Sequence, residues 1–294
     1  MFEDIGLITL VGVTLFAAIV NGGLGHGFSS LTVPIALVFY ANRILNPALV
    51  LVEVALNAYL LFISRKSVPR AWPRVTPILT GVCFGVIVGS LLLSWANPEW
   101  LKFITYASIL PLILLQAAGW RRPIKAERLA GVPFGAGVGV LYSLTTISGP
   151  PLALMLNNQG FVKEEFRAAL GLIRVTESSL TAVAYYWLGL YSPASWQILL
   201  AILPSVVIGI PLGAYFVRQM PLETFRRVCM SFDAWIVGFG LSRVLTVLHL
   251  VASPMAYGVL LSVALLDSYL LYIFFKRNAA VAVASAHSHG IRQH

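Results

Sequence analysis

Apolar residues run through this chain in long blocks separated by short polar interruptions. Seven blocks, at residues 46–63, 75–95, 101–120, 166–188, 196–217, 228–248 and 255–275, are each long enough to cross a bilayer as a helix. The strict alternation of a membrane barrel strand is missing from runs such as ITYASILPLILLQAAGW and VLTVLHLVAS. Two further pairs of apolar segments are shorter, 5–20 with 27–40 and 129–146 with 148–158. Each pair is interrupted in the middle, by NGGLGHG (21–27) and by TTISGPP (145–151). Each pair returns to the side it came from, so each reads as a re-entrant hairpin or as two broken spans. The pattern predicts an all-α polytopic membrane protein with about seven full transmembrane helices plus two broken or re-entrant helical hairpins.

The polar interruptions orient these spans. SRKSVPRAWPR (64–74), RRPIKAER (121–128), RQMPLETFRR (218–227) and KR (276–277) hold most of the Lys and Arg and are read as cytoplasmic. WANPEW (95–100), LYSPAS (190–195) and LVASP (250–254) are poor in basic residues and face outward. The alternation places the N-terminus outside and the C-terminus in the cytoplasm. The tryptophans at 72, 95, 100, 120, 187 and 196 lie near span ends, as an interfacial belt requires.

Composition agrees. The chain is 59% hydrophobic and 11% charged, with a mean hydropathy of +0.86. Its net charge of +9 sits in the short loops, which suits an anionic lipid leaflet and not a nucleic acid. The start MFEDIG lacks the basic region of a cleaved signal peptide, so the first apolar run is expected to be retained. Cys83 and Cys229 fall inside apolar runs and read as small buried thiols, with no disulfide framework, metal site or cofactor implied.

An internal repeat is visible at an offset of roughly 120 residues. TVPIALVF (32–39) resembles GPPLALML (149–156), and GVIVGSLLLSWANPEWLKF (85–103) resembles GIPLGAYFVRQMPLETFRR (209–227). The span at 46–63 runs inward while that at 166–188 runs outward, so the repeat has inverted topology. The expected organisation is a first inverted repeat at 1–120, a second at 121–248, an extra C-terminal helix at 249–277 and a disordered cytoplasmic tail at 278–294. A homo-oligomer is compatible with this layout.

The two interruptions are then mates, one per half. Non-helical backbone at membrane depth survives only where protein or a water-filled cavity satisfies it. The helix after each break points its N-terminus, with free N–H groups and the positive end of its dipole, into the same region, which favours an anion. The candidate binding residues are Asn21, Gly25, His26, Ser29, Thr146, Ser148 and Gly149. The alternative for the glycines is close helix packing. For His26 it is a satisfied interior histidine.

Ionisable side chains inside spans are functional candidates by default. Glu53 lies about two turns into its span, with Asn57 on the same face, and Arg174 and Glu177 lie three residues apart in the matching span. A guanidinium matches an oxyanion with two parallel donors, so Arg174 joins the binding set. Glu53 and Glu177 are candidates for proton coupling, a nearby glutamate trading a proton against the anion. The alternative is a structural salt bridge of Arg174 with Glu177 or Glu53.

GLGHGFSSLTVP and SGPPLALMLNNQGFVKEEFRAALGLI resemble the two motifs of the TauE/SafE family, the sulfite exporters and related anion transporters. The resemblance reaches to about residue 275. It implies a secondary transporter, in a bacterial cytoplasmic membrane, for sulfite, organosulfonate or carboxylate anions, with proton-coupled export. His26 within the glycine run, and the charges Glu53, Arg174 and Glu177, depart from the usual family pattern. No nucleotide-binding loop is present, and no GxSxG or HExxH motif supports an enzyme. An anion channel and an intramembrane enzyme are the alternatives. The orientation is checked with single cysteines at Ser67 and Ala126 in a background lacking Cys83 and Cys229. An impermeant maleimide added outside intact cells leaves both unlabelled, and labelling of either reverses the map.

Overall fold

A computed structural model describes residues 2–24, 27–118, 127–216 and 222–290. Every regular element among them is helical. The first half comprises α1 (Phe2–Leu24), α2 (Phe28–Ala36), α3 (Asn42–Ser64), α4 (Val68–Trp95) and α5 (Pro98–Ala117). The second comprises α6 (Glu127–Thr145), α7 (Gly149–Asn158), α8 (Lys163–Trp187), α9 (Pro193–Phe216) and α10 (Leu222–Val247). A one-turn helix α11 (Ser253–Ala256) leads into α12 (Gly258–Gly290).

Each expected hairpin has one long arm and one short arm. α1 has 23 residues and α6 has 19, whereas α2 has 9 and α7 has 10. At 1.5 Å per residue the short arms cover about half a bilayer. The basic stretch 64–74 is not a loop: a 3-10 turn at Arg65–Ser67 joins α3 to α4, with Pro69 in the first turn of α4, where its missing N–H costs nothing. α10 begins at Leu222, so Arg227 is a helical residue rather than a loop residue. Its Nη2 donates to Asp267 Oδ1 of α12 at 2.9 Å, in a buried pair that ties these helices together. α12 continues as helix to Gly290, through most of the segment read as a disordered tail. Five alanines in the run NAAVAVASA favour helix there.

The helices pair across the sequence halves. α1 packs on α9, α4 on α6, α3 on α8 and α5 on α10. Small residues permit the closest of these contacts. A Cβ on Gly85 would run into the Ala136 carbonyl of α6, and one on Gly213 into the Ile19 carbonyl of α1. The apolar interior divides accordingly. One cluster joins Leu10, Phe28, Leu49, Ile109, Ile202 and Val237, and another joins Val75, Val138, Leu152 and Ile173. α3 contributes to the first cluster and α8 to the second, and the two helices pack on each other where the clusters meet. Outward faces are apolar too, as lipid demands: Phe84, Ile87 and Leu91 on α4, and Leu261, Leu265 and Tyr269 on α12 are exposed. Cys83 shares the exposed face of Phe84 and Ile87 instead of being buried. The side chain of Cys229 lies outside the described residues.

The close contacts set an expectation. Gly85→Leu and Gly213→Leu abolish monodisperse folded protein in detergent, because a backbone carbonyl fills the added side chain's space. Gly137→Leu, with no atom within 4 Å of its Cβ position, leaves the elution profile and melting temperature unchanged.

Candidate functional site

The site lies at the crossing of α3 and α8. Glu53 sits at the midpoint of α3 and is fully buried. Arg174 and Glu177 sit near the middle of α8, on adjacent turns of one face, and are buried as well. The two short helices start beside them. Ser29, in the first turn of α2, donates its hydroxyl to Glu53 Oε1 at 2.7 Å. Ser148, immediately before α7, donates to Glu177 Oε1. A Cβ on Gly149 would lie 3.8 Å from Ser30 Oγ, so the N-terminal turns of α2 and α7 face each other. Both positive dipole ends therefore converge on the two carboxylates, an arrangement that stabilises negative charge.

Arg174 pairs with Glu53: Nη2 donates to Oε1 at 2.8 Å. Tyr142 of α6 donates to the other oxygen of Glu53, also at 2.8 Å. Glu53 thus collects a hydroxyl, a phenol and a guanidinium, whereas among the described residues Glu177 receives only Ser148. Glu177 Oε2, Arg174 Nε and Thr181 Oγ1 are buried without a hydrogen-bond partner among the described residues. A buried polar atom left unpaired costs about 1–3 kcal/mol, so the cluster holds unused hydrogen-bonding capacity at its centre. Asn57, four residues beyond Glu53, reaches the Arg174 carbonyl at 3.4 Å and helps join α3 to α8.

The breaks themselves are held by side chains. Ending α6 at Thr145 orphans its last carbonyls in a buried stretch, where side chains must bond them. Asn46 and Asn42 donate to the Leu144 carbonyl at 2.6 and 3.2 Å, and Tyr185 donates to the Ser143 carbonyl. Thr146 adopts φ 56°, a left-handed conformation that is strained for a β-branched residue. The corresponding turn before α2 uses Gly27, at φ 107°, with no such penalty. At the far end of α2, away from its break, Tyr106 of α5 donates to the Pro34 carbonyl at 2.8 Å.

Of the residues expected from sequence, Ser29, Glu53, Ser148, Gly149, Arg174 and Glu177 are brought together. The Thr146 hydroxyl instead donates to the Thr145 carbonyl at 2.7 Å, so this residue shapes the break rather than joining the cluster. Asn21 lies half-buried in the last turn of α1, with no hydrogen bond to the cluster among the described residues. Gly25 and His26 lie outside the described residues. Tyr142, Asn42, Asn46 and Tyr185 were not anticipated. The one signal for them was polar atoms recurring within or beside apolar segments.

A profile described as "Sulfite exporter TauE/SafE" matches residues 10–239. The chain belongs to the TauE/SafE family. A TauE/SafE relative, the "Probable sulfite/organosulfonate exporter TauE" of Cupriavidus necator, is 28% identical over 252 residues, 82% of this chain and 93% of that protein. The "Probable inner membrane transporter protein TsaS" of Comamonas testosteroni is 25% identical over 164 residues, 53% of this chain and 66% of that protein. No solved structure matches. This TauE/SafE protein is a multi-pass membrane transporter of small anions and not an enzyme.

The ion pair makes a thermodynamic prediction. Glu53→Leu alone leaves the Arg174 charge unpaired and destabilises the protein by about 3–5 kcal/mol. Glu53→Leu with Arg174→Leu recovers most of that loss, measured as unfolding in detergent. Equal destabilisation by the single and double variants rules out the pairing.

Proposed function

We propose that this chain is a secondary transporter that exports sulfite and organosulfonate anions across a bacterial inner membrane, coupled to protons. The observation that carries the reading is the buried crossing of α3 and α8, where one guanidinium and two carboxylates lie between two short-helix N-termini. Those elements are suited to an oxyanion: Arg174 supplies fixed charge and parallel donors, and Ser29, Ser148 and the free N–H groups of α2 and α7 supply more. The names of the two relatives favour sulfur oxyanions and an inner-membrane location.

In this reading residues 1–120 and 121–248 are inverted repeats, 249–277 adds a helix, the N-terminus is outside and the C-terminus is cytoplasmic. Several mirrored features support the repeat. Gly27 and Thr146 are the left-handed residues before the two short helices. Ser29 serves Glu53 as Ser148 serves Glu177. α1 packs on α9 as α6 packs on α4, which is the exchange that a two-fold relation between the halves produces. Arg174 breaks the mirror, since α3 carries Val50 one turn before Glu53 where α8 carries Arg174 before Glu177.

Proteoliposomes test the reading. With a pH gradient imposed, sulfite or methanesulfonate accumulates, and Arg174→Gln abolishes flux in protein that still elutes as folded. Arg174→Lys also loses most of the flux, because an ammonium is a point charge without the planar two-pronged donor set. Flux that follows the anion's electrochemical gradient alone identifies a channel. Wild-type flux in Arg174→Lys removes the arginine from the binding site.

A further inference from the structure

We propose that the carboxylate of Glu53 occupies the seat of the transported anion, so that anion and proton bind together and cross in the same direction. The inference rests on the transporter reading above and adds to it the seat, an unanticipated ligand-binding residue, Tyr142, and the sign of the coupling: export by this route is driven by the outward gradient of the anion, and an acidic exterior opposes it.

The geometry is that of an anion already held. Both oxygens of Glu53 accept hydrogen bonds: Oε1 from Ser29 at 2.7 Å and from Arg174 at 2.8 Å, and Oε2 from Tyr142 at 2.8 Å. Three donors from three different helices, α2, α8 and α6, thus converge on one planar oxyanion. A sulfite, sulfonate or carboxylate presents the same paired oxygens. It and ionised Glu53 compete for the same donors, and the described residues place no second cation at this level.

The charges around Glu53 decide what happens when it lets go. α8 brings Arg174 and Glu177, and α6 brings the Tyr142 phenol. α2 brings only Ser29. The basic residues of α4, Arg70 and Arg74, lie in its first two turns, Glu99 and Lys102 of α5 lie in its first turn, and α9 carries no charged residue. Within α3, Arg43 is engaged at the far end, by the Leu93 and Ala96 carbonyls. Arg174 and Glu53 therefore balance each other before any substrate arrives, with Glu177 a second acid beside them. Adding an anion while Glu53 stays ionised would put at least two negative charges against one guanidinium in a buried site, which is strongly unfavourable. A displaced Glu53 is stable there only when protonated, and as a neutral acid it can donate where it formerly accepted. The proton is taken from the side on which the anion enters and is released when Glu53 recaptures Arg174. No bond to the substrate forms. Arg174 Nε, buried and without a partner among the described residues, gives the guanidinium a further donor for an anion larger than a carboxylate.

Methanesulfonate is the probe, because it stays ionised across the working pH range and any proton that moves rides on the protein. In proteoliposomes carrying a pH dye, methanesulfonate influx acidifies the lumen, and acid on the starting side accelerates it. Proton movement opposite to the anion, or none, overturns the proposal without reference to any variant. In Glu53→Gln the half-saturating methanesulfonate concentration for exchange falls and no longer varies with pH. Tyr142→Phe raises that concentration by at least roughly tenfold, as loss of a hydrogen bond to a charged group should, and keeps the pH dependence. A parental pH profile in Glu53→Gln, or an unchanged half-saturation in Tyr142→Phe, also overturns it. If neither sulfite nor methanesulfonate moves under any gradient, the transporter reading itself fails. Movement of either with the wrong proton sign fails this inference alone.

Discussion

A guanidinium at the centre of a bilayer protein has to be matched within the protein, because lipid offers no counter-charge. Arg174 meets that requirement through Glu53, and the match dictates much of what surrounds it. α3 and α8 must cross at the level of the pair. Glu53 then needs further donors to offset its own desolvation, and these come from α2 and α6. A single buried pair therefore locks together elements from both halves of the chain, including the start of one short helix and the last turn of the long helix that precedes the other.

The helix breaks are the second consequence. A chain that stops a helix at membrane depth leaves carbonyls and N–H groups without partners. Here the carbonyl end of α6 is held by Asn42, Asn46 and Tyr185, whereas the N–H ends of α2 and α7 are turned toward the charge cluster. The asymmetry is chemically sensible. Carbonyls are acceptors and would repel an anion, so neutral amide and phenol donors cover them. N–H groups are donors that an anion can use, and they remain directed inward. The strained backbone of Thr146 is tolerated because the surrounding bonds leave it no alternative.

The two carboxylates have unequal surroundings, and this has chemical weight of its own. In the proposed repeat Ser29 with Glu53 and Ser148 with Glu177 are corresponding pairs, but Arg174 is hydrogen-bonded to Glu53. Glu53 collects three donors, while Glu177 keeps an oxygen without a partner among the described residues.

The membrane class, the long spans, the two interruptions and the intramembrane charges were all legible in the sequence. Each rests on something local: an apolar run is long enough or not, a cluster of glycines or a Gly-Pro-Pro run is conspicuous in an apolar segment, and so is an ionisable residue among leucines. The same local reasoning failed where context decides. The basic stretch 64–74 reads as a loop by charge, yet a 3-10 turn carries it into α4, and Arg227 reads as a loop residue although Asp267 draws it inside. Nor does any local rule say that Arg174 prefers a glutamate in another helix to Glu177 one turn away on its own. Hydrogen-bond partners are chosen by which helices cross and at what height, and that is a property of the assembled bundle. The sequence by itself thus determined that charges and breaks exist at membrane depth. Only the tertiary structure decided that Tyr142 joins Ser29 and Arg174 on one carboxylate, because that convergence requires three helices to be in place at once.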